Sequence, residues 1–317
     1  MQSTDIIDNK YTIVKKIGIG QFSHIYLVKD NNIEYAAKIV IKNTNEFQQE
    51  LQMTTLASGL NNPNIIHLFN NGIGTIKIAG LVKNNKPYLI WDYCSKGNLF
   101  NYIYEKRLSE SQAKFVFKKI LEGVQALHGA GICHRNLKLE NILLDQNFNQ
   151  KISDFALATK FIQNNQAIQL KDYVGSFQNI SPQIINHQPY NGDKADIFSL
   201  GIILFNLVTG INGFLTSKND DIYYKLIKEG NIDDYWNKIA EKSDIVKSLS
   251  KDLKNLYIKM VSFNEKDRPS VDEILQDHWF DEINNLNKEK LEELENNMRK
   301  EFEEREAKFN ENKNTEA

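Results

Sequence analysis

Cysteine, long apolar runs and any clear excess of charge are scarce in this chain of 317 residues. The most apolar run, Phe198 to Val208, falls well short of the about 20 apolar residues that a membrane-spanning helix needs, so a buried helix is expected there instead. Only two cysteines occur, Cys94 and Cys133. That excludes a disulfide framework and a cysteine-based metal site, and it suggests a reducing compartment. Lys and Arg number 39 against 41 Asp and Glu, a net charge of -2, which gives no reason to expect binding to nucleic acid or acidic membranes. The opening MQSTDIIDNK has no apolar core and no basic flank, so it does not read as a secretory signal, and Gln2 excludes myristoylation. No internal period suggests a solenoid. The expectation is a cytoplasmic protein, without membrane insertion, or one docked through a partner.

Local patterns divide the chain. YTIVKKIG, IYLVKD and EYAAKIVI are β-rich runs separated by glycines or by Asn31-Asn32. Glu46 to Leu56 reads as a helix with Phe47 and Leu51 on one face, broken by Asn61-Asn62-Pro63-Asn64. Strands are expected around Ile76–Leu81 and Tyr88–Trp91. From Leu99 onward helix dominates, and Ser109 opens a capped helix that ends at Gly129 or Gly131. Asn-Asn pairs beginning at 61, 70, 84, 164, 284 and 296 read as surface loops or turns. Strands first and helices after make the fold class α+β with two lobes, and the boundary falls near Tyr93–Gly97. After Phe280 a charged helical tail follows, with Leu291, Leu294, Met298, Phe302 and Phe309 roughly on one face. It is either a solvated helix leaning on the core or a short seam for a helical partner, with Glu301 and Arg305 interrupting the heptads.

Several short motifs carry chemistry. Gly18-Ile19-Gly20-Gln21-Phe22-Ser23 lies between two strand-like runs, where glycines let backbone N–H groups approach phosphate, although an ordinary hairpin turn has the same signature. Lys38 follows on the next strand, with Glu50, or Glu46 one turn earlier, on the helix after it. His134-Arg135-Asn136-Leu137-Lys138-Leu139-Glu140-Asn141 is followed by Asp154-Phe155-Ala156. Gly175 to Gln183 reads GSFQNISPQ, and Asp196 and Arg268 lie further on.

Together these resemble the protein kinase family over about residues 11–280, with an N-lobe to about residue 94 and a C-lobe from about 95, leaving 281–317 as the tail. His134 to Asn141 resembles the catalytic loop H-R-D-L-K-x-x-N, Asp154-Phe155-Ala156 resembles D-F-G, and the segment ending at Gln183 resembles G-[TS]-x-x-Y-x-A-P-E. Lys138 matches the serine/threonine branch, and Leu139-Glu140-Asn141 with the final Trp279-Phe280 looks most like the calcium/calmodulin-dependent kinase group. The resemblance implies a two-lobed fold, ATP and Mg²⁺ as cofactors, and a protein substrate or regulated protein partner. It implies ATP contacts from Ile17, Gly18, Gly20, Ile25, Ala36, Lys38, Glu50, Asp92, Cys94 and Leu143, and metal ligation by Asn141 and Asp154. Trp91 matches the gatekeeper, Asp196 the buried brace of the catalytic loop, and Arg268 the late arginine that pairs with the segment's Glu, here Gln183. Asp172 falls near the usual activating phosphothreonine, whose partner would be Arg135; a solvent-exposed loop aspartate is the alternative.

Ser23 stands for the third glycine of the loop and Asn98 for a common acidic residue, and three further departures point towards lost activity. Asn136 replaces the catalytic Asp, and a carboxamide cannot take the substrate hydroxyl's proton. Ala156 adds a Cβ where glycine gives backbone freedom. Gln183 keeps a hydrogen bond to Arg268 but not a charge pair. The expectation is a nucleotide-binding pseudokinase or weak kinase, the alternative being an active serine/threonine kinase in which Asn136 only orients the hydroxyl.

Overall fold

A computed structural model describes residues 5–20, 23–41 and 45–315, so Gln21 and Phe22 of the glycine-rich loop lie outside the described residues. Six antiparallel strands close into a small barrel: β1 (Ile6–Ile7), β2 (Tyr11–Ile19), β3 (Ser23–Asp30), β4 (Ile33–Val40), β5 (Leu68–Ile78) and β6 (Leu81–Asp92), in the order β1-β2-β3-β4-β6-β5. Alternating residues such as Tyr26, Val28, Ala37, Ile39 and Ile90 fill its interior. Helix α1 (Asn45–Ser58) lies against it.

β5 and β6 are longer than the sequence suggests. Ala79 and Gly80, at φ of 50° and 76°, form the tight turn between them, so the strand expected over Ile76–Leu81 straddles a hairpin. The Asn-Asn pairs at 70 and 84 lie in these strands rather than in loops. Asn70 sits at a register shift, donating to the Tyr11 hydroxyl at 3.0 Å and accepting from the Asn71 N–H at 2.9 Å. Asn84 accepts from Thr75 at 3.0 Å across the second shift. Bulges tolerate a self-bonding side chain that a regular ladder does not. Asn296-Asn297 is likewise helical, not a turn.

The second lobe is built on helices: α2 (Leu99–Glu105), α3 (Glu110–Gly129), α4 (Pro182–Ile185), α5 (Gly192–Thr209), α6 (Tyr224–Lys228), α7 (Ile232–Ala240), α8 (Ile245–Ser248), α9 (Lys251–Met260), α10 (Val271–Leu275), α11 (Asp281–Asn284) and α12 (Lys288–Thr315). Ser109 and Gln112 form a reciprocal capping box at the start of α3. The apolar run Phe198–Val208 lies within α5 and is buried almost all round, as a central helix requires. No helix among the described residues is long and apolar enough to cross a membrane. Short strands β7 (Ile132–Cys133), β8 (Ile142–Leu144) and β9 (Gln150–Ile152) carry the connections between α3 and α4 that face the first lobe.

The tail is a charged helix that leans on the core, as the first of the two expectations has it, and not a free seam. Met298 and Phe302 of α12 are 3% and 1% exposed, and Phe302 packs on the rings of Tyr102 and Phe148. Arg305, expected to interrupt a heptad, is 5% exposed. Its guanidinium donates to the carbonyls of Tyr102 (2.8 Å) and Arg107 (3.4 Å) and to that of Lys106. These are the carbonyls that a helix C-terminus leaves without partners, so the arginine caps α2 from the side. Glu301 joins it, accepting from Arg305 and from Lys106 at 2.8 Å. The apolar seam is therefore covered within the chain, while the Phe309 side chain lies outside the described residues. Phe302→Ala should lower unfolding free energy by about 3–5 kcal/mol in urea denaturation; a loss well under 1 kcal/mol would mean that α12 does not pack as described.

Candidate active site

A cleft with a cavity of about 520 Å³ lies between the lobes. Its roof is strand-borne: Ile17 and Gly20 at the end of β2 and its turn, Ile25 on β3, and Ala36 and Lys38 on β4. Its back and hinge are Trp91, Asp92 and Cys94, and its floor includes Leu143 on β8 with Asn141 just before it. Gly18 is the exception among the expected contacts: it pairs with Ile25 in the sheet and does not line the cavity. Gly20 donates its N–H to the Ser23 carbonyl at 2.8 Å, and a Cβ there would meet the Ser23 hydroxyl at 2.8 Å, so any larger residue would have to turn that side chain aside.

Lys38 on β4 is ion-paired with Glu50 on α1. Spacing alone left Glu46 as a candidate; the helix phase puts Glu50 on the buried face. Burial raises the Glu50 pKa and the nearby Asp154 charge adds to this, while Lys38 pulls it back down. Asp92 presents its carboxylate to the His67 N–H (2.8 Å) and to Lys151 (3.2 Å), which ties the hinge to both lobes. Burial pushes the Cys94 thiol up to about 12, so it is an inert wall rather than a nucleophile. Asn98 N-caps α2 by accepting from the Asn101 N–H at 3.2 Å.

The catalytic-loop region hangs on Asp196 of α5, which is fully buried. It accepts from the N–H groups of His134 and Arg135, both at 2.8 Å, and contacts His128 at 2.9 Å. Arg135 takes a left-handed φ of 63°. Its guanidinium donates to the Leu157 carbonyl (2.7 Å), Asp172 (2.7 Å) and the Tyr190 hydroxyl (3.2 Å). Burial works against the Arg135 charge, yet Asp172 and Tyr190 hold its pKa above the ordinary value. Gly175, at φ of 108°, passes so close that a Cβ would lie 2.7 Å from the Arg135 carbonyl oxygen.

Asn136 faces Asp154, donating to its carboxylate at 3.3 Å, and accepts from the Ser176 hydroxyl at 2.9 Å. Lys138 donates to that hydroxyl at 2.9 Å. Asn141 donates through Nδ2 to the Asn136 carbonyl at 2.8 Å and lines the cavity together with Asp154, so its side-chain oxygen and the Asp154 carboxylate offer hard donors there. That donor pair fits a hard cation such as Mg²⁺ bound with phosphate.

Ala156 is not the strained departure that its position suggests. It lies in a 3₁₀ turn, Phe155–Leu157, and is not among the residues with left-handed φ; Asp154, at φ of 66°, carries that conformation instead. Gln183 is buried, accepting from Arg268 at 2.7 Å and donating to the Phe263 carbonyl at 2.6 Å. Arg268 is almost wholly enclosed with no carboxylate bonded to it among the described residues, and burial drops its pKa to about 10. Sequence reading missed the linking role of Ser176, the hinge tie from Lys151 and the wall residues Thr54 and Ile66. Their positions depend on tertiary contacts, and no local pattern announces them.

The family model described as "Protein kinase domain" matches residues 11–280. Among curated proteins, CBL-interacting serine/threonine-protein kinase 18 of Arabidopsis thaliana is 29% identical over 286 residues, covering 87% of this chain and 50% of the relative. CBL-interacting protein kinase 10 of Oryza sativa subsp. japonica is 29% identical over 288 residues, covering 88% and 58%. The chain spans about half the length of the curated relatives it matches. Removing the Arg135 partner by Asp172→Ala should speed proteolysis within residues 160–180 about threefold or more, consistent with losing a charge-assisted bond of about 1 kcal/mol; equal cleavage rates would remove the ordering role of Asp172.

Proposed function

Because this chain belongs to the serine/threonine protein kinase family, we propose that it binds ATP with Mg²⁺ in the interlobe cleft and transfers phosphate weakly or not at all. The single observation that carries this reading is the carboxamide of Asn136 standing beside Asp154, in a cleft where the Lys38–Glu50 pair is made.

Each side chain has a part in this proposal. Ile17, Ile25, Ala36 and Leu143 offer apolar surface for a planar base, with Asp92, Tyr93 and Cys94 giving backbone groups along its edge. Lys38, held by Glu50, meets the α- and β-phosphates. Asn141 and Asp154 would hold Mg²⁺, which supplies charge neutralisation on the phosphates when bound. Lys138 would meet the transferring group. At residue 136 an aspartate would accept the proton of an attacking hydroxyl; the amide offers no proton acceptor of comparable basicity. General-base catalysis contributes about 10²–10⁴-fold, and the rest of phosphoryl transfer is positioning and electrostatics.

The closed Lys38–Glu50 pair and the Arg135–Asp172 pair favour a second reading, slow but real transfer to serine or threonine of a protein substrate. The printed names of the relatives describe them as CBL-interacting. We extend to this chain only that a protein substrate or regulated protein partner engages it.

Saturating Mg-ATP should raise the melting temperature of the wild type, since a ligand that prefers the native state stabilises it; no shift at millimolar nucleotide would defeat the binding proposal. In a radiolabel transfer assay, Asn136→Asp should exceed the wild type by about 10²–10⁴-fold, and Lys38→Met should abolish the signal in either background. A wild type as fast as Asn136→Asp would defeat the impaired-enzyme proposal.

A further inference from the structure

Three bonds decide which way the Asn136 carboxamide faces. Its Nδ2 donates to Asp154 Oδ2 at 3.3 Å, its Oδ1 accepts from Ser176 Oγ at 2.9 Å, and Ser176 Oγ accepts from Lys138 Nζ at 2.9 Å. The reversed amide would set its oxygen against the Asp154 carboxylate. It would also surround the serine hydroxyl with two donors and leave its hydrogen no acceptor. The network therefore has one self-consistent direction, from Lys138 through Ser176 and Asn136 to Asp154.

An aspartate at 136 in this geometry would put two carboxylates in contact. Such a pair needs either a cation between them or a proton on one of them. The amide supplies hydrogen to Asp154 directly, so one oxygen of that carboxylate has a partner from within the chain and no second charge stands beside it. The other charges around the cavity do not replace the lost repulsion. Glu50 is paired with Lys38, and Asp92 is paired with Lys151, leaving Glu140 at the margin. A triphosphate approaching Asp154 thus meets one negative charge fewer than it would beside an aspartate at 136.

We propose that Asn136, held in position by Ser176, lets the cleft bind a nucleoside triphosphate with little dependence on a divalent cation. The inference rests on the nucleotide-binding reading and deepens it: the ligand class becomes the free triphosphate anion as well as its metal complex. Asn141 and Asp154 remain able to take a cation, but binding does not require one. Ser176 acts here as a positioning residue, since it reaches Asp154 only through the amide.

The test is calorimetric titration of ATP into the intact chain, once with Mg²⁺ and once with EDTA. The wild type should lose less than about threefold in affinity on chelation, and Asn136→Asp about tenfold or more, as one added unit charge beside the phosphates implies. Ser176→Ala, which frees the carboxamide to turn, should raise the chelation penalty above that of the wild type, and Ser176→Thr, which keeps the hydroxyl, should leave it unchanged. These ratios compare one protein with itself, so a general loss of affinity in a variant does not imitate the effect. Equal penalties in the wild type, Asn136→Asp and Ser176→Ala would overturn this inference while leaving nucleotide binding intact. Absence of ATP binding by the wild type under both conditions would overturn the nucleotide reading and this inference with it.

Discussion

Asp196 is an ionisable group with no exposure to solvent, and a buried carboxylate is tolerated only where donors surround it. Its donors come from one short stretch: the backbone N–H groups of His134 and Arg135, with the His128 ring on the helix before them. Satisfying the carboxylate therefore forces the chain through the bend at Arg135, whose left-handed φ is costly for a side chain of that size. That bend aims Asn136 and Lys138 at the cleft and leaves the Arg135 guanidinium pointing the other way, into Leu157, Asp172 and Tyr190. One buried charge on α5 thus sets both the catalytic-loop geometry and the anchor for the segment that leads to Ser176.

With that scaffold in place, the three sequence departures separate by physical consequence. Ala156 occupies ordinary helical backbone and costs little. Gln183 preserves the hydrogen bond to Arg268 but withholds a charge from an enclosed guanidinium. That guanidinium instead spreads its bonds over the carbonyls of Ser262 and Lys194, at 2.9 and 3.0 Å, and lies 5.0 Å from the Phe198 ring. This is a stability effect far from the reacting atoms. Only Asn136 changes what the cleft can do with a proton, and the bonds that hold it leave its amide facing Asp154.

Much of this was legible in the residues. The α+β class, the strand runs of β2 to β4, the capped α3 and the buried α5 follow from alternation, capping and apolar content, all of which are local. The β5–β6 hairpin was less legible, because Asn70-Asn71 and Asn84-Asn85 look like turn residues and are instead absorbed at bulges. In the cleft, residues set by fixed motif spacing, such as Lys38, Asn141 and Asp154, fall together around one cavity or at its edge. Residues that matter through side-chain contacts across the sequence do not show themselves: Ser176 bonds to Asn136 over 40 positions. Arg305 was misjudged for the same reason. A charged residue on an apolar face reads as an interruption until the carbonyls it serves, on α2, are in view.

The tail bears on the cleft through the same helix. Arg305 and Phe302 fix the C-terminal end and the ring face of α2, whose N-terminus is capped by Asn98 at the edge of the cavity. Glu306 reaches Lys96 at 2.6 Å, and the Lys96 carbonyl accepts from Tyr102 at 3.0 Å. Lys96 is in the connection between the lobes, two residues past Cys94. The half-buried Lys96–Glu306 pair adds only modest energy by itself. Its geometric effect is larger, because the start of the second lobe at Lys96 is bonded on one side to α2 and on the other to α12. Lys96 also donates its N–H to the Leu144 carbonyl of β8 at 3.2 Å, so the pair fastens α12 to the second-lobe end of the connection, and none of the described tail residues lines the cavity.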